Sequence, residues 1–135
     1  MNWYVAHALM ILRPQQPIDQ PLYCWENLLL ISCADGSDPW KIAEKRAAQD
    51  ATQEFELAPP YSVLSRWEFA GIRKVVEVCH HRSDDELRSG DELSYNTLQF
   101  SNETEIQRFV AGHKCEVIHV DDVGSDYGQD GKYRV

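Results

Sequence analysis

The sequence is poor in basic residues and in long hydrophobic runs, and each shortage excludes a class of protein. Thirteen Lys and Arg residues stand against 22 Asp and Glu residues, which gives a net charge of −9. A protein of this charge repels phosphate backbones and anionic bilayers, so we expect no general binding of nucleic acid or membranes. The most apolar stretch near the start, Trp3 to Leu12, is about half the length of a membrane span. It also lacks the basic region and cleavage site of a signal peptide.

The four cysteines are widely spaced, at positions 24, 33, 79 and 115. A chain of 135 residues, 43% of them hydrophobic, can bury a core without disulfide bridges. We therefore predict a reduced, cytoplasmic protein, with two disulfide bridges as the alternative. The sequence contains no C-x-x-C pair, no Walker-type glycine loop, and no G-x-S-x-G or H-E-x-x-H motif. These absences favour a role other than catalysis.

The patterning along the chain predicts a single α+β domain over residues 1–120, followed by an acidic, Gly-rich tail over residues 121–135. Alternating or two-faced apolar runs predict five strands, at residues 3–12, 23–34, 66–79, 93–100 and 115–120. Gly71 interrupts the alternation of the third run, which indicates a β-bulge or a bend. The third and fourth strands follow one another without a helix, so we expect them to pair as antiparallel neighbours.

Two helices are predicted from their capping residues. Asp38 and Pro39 suit the start of a helix that continues to about Phe55, with an apolar stripe of one tryptophan and three alanines. Asn102 and Glu105 resemble a capping box at the start of a second, short helix. The predicted order is therefore ββαββαβ, an antiparallel sheet of about five strands with two helices packed on one face.

Several blocks of this sequence occur in the order found in a known family. They are Trp3-Tyr4-Val5-Ala6, Trp25-Glu26, Ile42-Ala43-Glu44-Lys45-Arg46-Ala47, Trp67-Glu68-Phe69-Ala70-Gly71-Ile72 and Ser89-Gly90-Asp91-Glu92-Leu93-Ser94. Together they resemble the small bacterial family known as domain of unknown function 4288, over roughly residues 3–100. The resemblance implies a compact α+β bacterial domain and no assigned activity.

Cysteine and histidine residues near the third and fifth predicted strands form one candidate metal site. The strand period places Cys79 with His81 on one face and His113 with Cys115 on another single face. Thiolate and imidazole are the ligands that zinc prefers, so these side chains would bind zinc if the two strands were neighbours. The alternative is a buried cysteine followed by solvated loop histidines, with no cofactor.

Tryptophan and acidic residues point instead to a protein partner. Twelve of the 22 acids lie between Asp84 and Asp130 against only three basic residues, so this segment carries the whole net charge of −9. Partly exposed aromatic side chains anchor protein partners, and acidic surfaces speed the capture of cationic ones. The candidate contact residues are Trp25, Trp40, Trp67, Asp84, Asp85 and Asp91. The alternative is that the tryptophans form the rim of the core and that the acids are solvated.

Our leading hypothesis is a non-enzymatic interaction module, such as an immunity-type protein that binds a basic partner. The competing hypothesis is a metal-binding protein or a small enzyme built on Cys79, His81, His113 and Cys115.

Overall fold

A four-stranded antiparallel sheet forms the centre of the structure, a computed structural model that describes residues 2–19, 21–78 and 86–120. The sheet has the order β2-β1-β4-β3, and a second sheet pairs β5 with β6. No helix of the described residues is long and apolar enough to cross a membrane. The elements are β1 (Asn2–Pro14), β2 (Cys24–Cys33), α1 (Pro39–Gln49), β3 (Glu54–Glu56), β4 (Leu64–Glu77), β5 (Leu98–Gln99), α2 (Glu103–Val110) and β6 (Ile118–His119).

β1 lies between β2 and β4, which explains why its sequence is apolar on both alternating faces. Tyr4 is opposite Ile31 of β2, and the two strands pair without a break in register. The pairing of β1 with β4 shifts twice, after His7 and after Leu9. Gly71 lies between these shifts at a φ of +148°, a conformation that favours glycine. The predicted bulge near this glycine is therefore confirmed.

α1 covers one face of the sheet, as its alanine stripe predicts. The Asp38 side chain caps the helix by accepting a hydrogen bond of 2.9 Å from the Trp40 N–H. Small side chains on both the helix and the strands let the backbones approach closely, and Trp40 is the one large anchor on α1. The buried core consists of Tyr4, Ala6, Ala8, Ile31, Cys33, Trp40, Ala43, Ala47, Ile72 and Val75.

The predicted end of the first helix near Phe55 is wrong. α1 ends at Gln49, a single 3₁₀ turn follows at Asp50–Thr52, and the chain then forms β3. Phe55 lies in β3 because its ring stacks on that of Trp67, with 6.0 Å between the ring centroids. An aromatic contact with β4 thus outweighs the helical preference of the preceding residues.

The predicted antiparallel sheet is confirmed, but the prediction of about five strands in one sheet is wrong, since the described residues form a main sheet of four strands and a separate sheet of two. Residues 93–96 lie outside any strand, and the predicted strands at 93–100 and 115–120 are reduced to β5 and β6, which pair with each other. α2 begins as predicted, since the Asn102 side chain accepts a hydrogen bond of 3.1 Å from the Glu105 N–H. It has no buried residue and does not pack extensively on the main sheet, so of the two helices in the described residues it is α1 that covers a face of this sheet.

Candidate functional site

The face of the sheet opposite α1 buries charged and polar groups. His7 of β1 and Lys74 of β4 are directly opposite each other in the register, and each is only 1% exposed. The register shift next to this pair leaves Arg73 as the additional residue of β4. The bulge lets Arg73 and Lys74, although adjacent in sequence, both contact groups on this face.

His7 connects two other side chains through its two ring nitrogens. Nδ1 lies 2.6 Å from Oε1 of Glu26 on β2, and Nε2 lies 2.5 Å from Oγ of Ser94. Because a carboxylate only accepts hydrogen bonds, Nδ1 carries the proton and donates it toward Glu26. Nε2 is then the acceptor of the Ser94 hydroxyl proton. We call Glu26, His7 and Ser94 the relay.

The charge states of the relay follow from its burial and its neighbours. Burial lowers the pKa of His7 below 6.5 despite the hydrogen bond to Glu26, and the positive charge of Lys74 lowers it further. Burial raises the pKa of Glu26, but hydrogen bonds from Arg73 and His7 outweigh burial and hold it below 4.5. At neutral pH the relay therefore contains a neutral imidazole and an ionised carboxylate.

Two cations complete the network. Arg73 donates to Oε1 of Glu26 through Nε at 3.0 Å and Nη2 at 2.5 Å, and Nη2 also donates to Oδ1 of Asn96 at 3.0 Å. The Lys74 ammonium donates to the Tyr95 carbonyl and lies 4.9 Å from the centroid of the Tyr95 ring. Such partners are needed, because an unpaired charge in this environment would cost several kcal/mol. They hold residues 94–96 against the sheet.

An open cavity of about 260 Å³ adjoins the relay. Its apolar rim includes Leu28 and Leu30 of β2, which are 58% and 45% exposed. His7 and Ser94 are among its polar lining groups. The cavity is lined by Val5, His7, Leu28, Leu30, Glu92, Leu93, Ser94, Tyr95 and Asn96.

The three tryptophans predicted to contact a partner occupy two different environments. Trp25 and Trp67 lie together on the α1 side of the sheet, with 4.6 Å between their ring centroids, and Trp25 is 60% exposed. Trp40 is only 7% exposed, and its indole Nε1 donates to Oε1 of Glu44. Its burial makes Trp40 a core residue, so its side chain is not accessible to a partner.

The predicted acidic contacts lie only partly within the described residues. Asp91 accepts a hydrogen bond of 2.7 Å from the Arg88 N–H and so stabilises the turn that contains Gly90, whose φ is +91°. Asp84 and Asp85 lie outside the described residues.

Only two of the four predicted zinc ligands lie within the described residues. Cys79 and His81 lie outside the described residues, whereas His113 and Cys115 precede β6. Within residues 2–19, 21–78 and 86–120, no three His, Cys, Asp or Glu side chains come together where they could hold a metal ion. Cys24, Cys33 and Cys115 are free thiols.

The sequence did not reveal the relay, because its members are far apart in the chain. His7 and Glu26 are separated by 19 positions, and His7 and Ser94 by 87. One signal was available, since His7 is the one polar residue in the run from Val5 to Leu12. The position of Ser94 depends on a segment without regular secondary structure, which periodicity cannot place.

The chain matches the sequence profile of a family described as "Domain of unknown function (DUF4288)" over residues 3–94. The chain belongs to the DUF4288 family. The matched range covers about two thirds of the chain, including the four-stranded sheet, α1 and all three relay residues. The resemblance seen in the sequence blocks is thus confirmed. No curated protein and no solved structure matches the chain.

Proposed function

We propose that this DUF4288 protein is a protein-interaction module that binds an extended segment of its partner along β2. β2 is an outer strand of the main sheet, and no other strand of the described residues pairs with its second side. It is ten residues long, whereas β3 at the opposite edge has three. A long open edge offers a row of backbone groups to an added strand. This long edge is the observation that carries the proposal.

The backbone of β2 shows which groups are available. The Leu12 N–H donates to the Tyr23 carbonyl at 2.9 Å, and these two residues directly follow the Ile11–Cys24 pair, the last in the register of β1 and β2. In an antiparallel pair, alternate residues direct both backbone groups toward the neighbouring strand. Tyr23 and every second residue after it therefore face β1. The residues that direct their backbone groups outward are Cys24, Glu26, Leu28, Leu30 and Ser32.

The side chains of β2 would add specificity to such backbone pairing. Trp25 is 60% exposed on the α1 side of the sheet, while Leu28 and Leu30 are exposed on the other side. The strand contains no proline and no lysine, the residues that commonly protect an edge from pairing. An added strand would therefore meet apolar side chains on both faces.

Charge favours a basic partner over a second copy of the chain. The net charge of −9 makes two copies repel each other, whereas it attracts a cationic segment. Glu92, beside Leu28 and Leu30 in the cavity lining, adds negative charge near this edge. An immunity-type role, in which the basic partner is a toxin, belongs to this proposal.

The proposal can be tested by photo-crosslinking in the cell of origin. A benzophenone-bearing residue would replace Ser32, which is exposed on β2, or Lys41, which is exposed on α1. We expect position 32 to capture a basic protein at physiological ionic strength and position 41 not to capture it. Leu28→Pro removes an outward N–H and should abolish capture, whereas Leu28→Ala keeps this N–H and should retain part of it.

The controls separate loss of docking from loss of folding. Leu29→Pro removes an N–H that faces β1, so it should lower the melting temperature far more than Leu28→Pro does. Capture of a second copy of this chain, capture that is equal from both positions, or capture that survives Leu28→Pro would contradict the proposal.

A further inference from the structure

We propose that Ser94 is an activated nucleophile, with His7 as its general base and Glu26 as the group that orients the base, and that the site hydrolyses esters of small apolar acids. This activity goes beyond partner binding and does not depend on it. It also departs from our expectation that the module is non-enzymatic.

The geometry of the relay meets the requirements of a serine nucleophile. Such a site needs a hydroxyl within about 2.6–3.2 Å of a base, and a third group that holds the base in position. Here the His7 Nδ1 to Glu26 Oε1 distance of 2.6 Å lies at the short end of this range, and Ser94 Oγ and His7 Nε2, at 2.5 Å, are in still closer hydrogen-bond contact. The acceptor nitrogen faces Ser94, so the tautomer is the one that a base requires.

The position of the relay suits the reaction as well. His7 is 1% exposed, which shields the base from water, while both His7 and Ser94 line the cavity. The apolar lining from Val5, Leu28 and Leu30 suits a short acyl group, since about 260 Å³ lies below the usual size of drug-binding pockets. Arg73 and Lys74 bring positive charge to the same face as Ser94.

The chemistry requires no additional reagent besides water. Ser94 Oγ attacks the ester carbonyl carbon and forms a C–O bond as the carbonyl π bond breaks and its electron pair moves to the oxygen, while the serine proton passes to His7 Nε2. The bond to the leaving alkoxide then breaks, and His7 returns the proton to that oxygen. Water attacks the acylated serine in the same way, which releases the carboxylic acid and restores Ser94.

The reaction should depend on pH through His7. The charged groups that face this imidazole are Glu26 from β2, Arg73 and Lys74 from β4, and Glu92 in the lining of the adjoining cavity. Because the pKa of His7 lies below its ordinary value, the imidazole stays neutral at pH 7 and remains a base. The rate should fall only as the pH drops through the lowered pKa of His7, because the imidazole then becomes protonated.

A fluorophosphonate probe tests the nucleophile without knowledge of the natural ester. Ser94 Oγ would form a bond to phosphorus, fluoride would leave, and the proton would pass to His7. We expect intact-mass spectrometry to show one adduct per chain and peptide mapping to place it on Ser94. Ser94→Ala should lose the adduct, whereas Ser89→Ala, an exposed serine of the same segment, should keep it.

Two further measurements distinguish an activated Ser94 nucleophile from a serine whose hydrogen bond to His7 is only structural. Glu26→Gln should slow labelling at least about tenfold while the variant remains folded by circular dichroism. The labelling rate of the wild-type protein should decrease below pH 6.5. Absence of an adduct on the folded wild-type protein, an adduct on another residue, or an equal rate in Ser94→Ala would overturn the proposal.

Discussion

The two faces of the main sheet share the strands β1 and β4, yet different elements cover them. On the first face, α1 packs Trp40 and two buried alanines against small and branched apolar side chains. On the second face, residues 94–96 lie over His7 and Lys74 and are connected to them by hydrogen bonds. The first face gains its stability from apolar burial. The second buries ionisable groups, each of which needs a partner to offset its desolvation.

The contrast between an apolar face and a face with buried ionisable groups suggests where to look for a functional site. Buried polar networks seldom stabilise a protein more than an apolar core of the same volume, and perturbed pKa values concentrate at functional sites. The second face also leaves Leu28 and Leu30 exposed beside its cavity. We therefore expect stability to depend mainly on the α1 face, and we place the proposed binding and chemistry on the other face and its edge.

The largest predicted effect is on the α1 face. Trp40→Ala removes the main anchor of α1 and should lower the free energy of unfolding by about 3–5 kcal/mol. Trp25→Ala is the matched control, because Trp25 is 60% exposed and its loss should cost much less. Denaturant unfolding of both variants measures the difference. Equal losses would show that stability is not concentrated on the α1 face.

A smaller effect is predicted for the carboxylate of the second face. Glu26→Gln removes the negative charge that Arg73 contacts and should cost about 1–3 kcal/mol at pH 7. The cost should shrink as the pH falls through the lowered pKa of Glu26, since the wild-type carboxyl then becomes protonated. Glu68→Gln is the control, because its pair with Arg13 is exposed and should contribute little. Urea titrations at pH 7 and pH 3.5 would distinguish the two.

The pH dependence of stability should also reveal His7. Its pKa is lowered by folding, so its contribution is present above pH 6.5 and is lost as the pH falls through the pKa of the folded state. We expect the free energy of unfolding to decrease below pH 6.5 and the His7→Gln variant to show a shallower decrease. Parallel curves for the two proteins would contradict a neutral, buried His7.

The smallest effect is predicted for the open edge. Leu28 is 58% exposed, so Leu28→Ala should change the free energy of unfolding by no more than about 0.5 kcal/mol. A loss of several kcal/mol in a denaturant titration would mean that Leu28 belongs to a core and is not a docking surface.

Sequence patterning predicted the features that depend on local signals. The capping roles of Asp38 and Asn102 and the bulge at Gly71 are confirmed, because each follows from a few neighbouring residues. The end of α1 and the presence of β3 were not predicted, since the stacking of Phe55 on Trp67 decides them. Tertiary contacts outweigh local propensity at such positions.

The candidate site was less predictable than the fold. The relay joins β1, β2 and an irregular segment, and no periodicity relates His7 to Ser94. The irregularity at Gly71 was predicted, but its consequence, that Arg73 and Lys74 both contact groups on one face, was not. Of the tryptophans predicted to contact a partner, Trp25 lies exposed on β2 and Trp40 is buried, and a contact with a partner stays a prediction.

Amide hydrogen exchange along β2 tests the central claim that this strand has an open docking edge. The account predicts slow exchange at Leu29 and Ile31, whose N–H groups face β1, and fast exchange at Leu28 and Leu30, whose N–H groups face outward. Protection of Leu28 and Leu30 equal to that of their neighbours would show that the edge is already covered. That result would contradict the account.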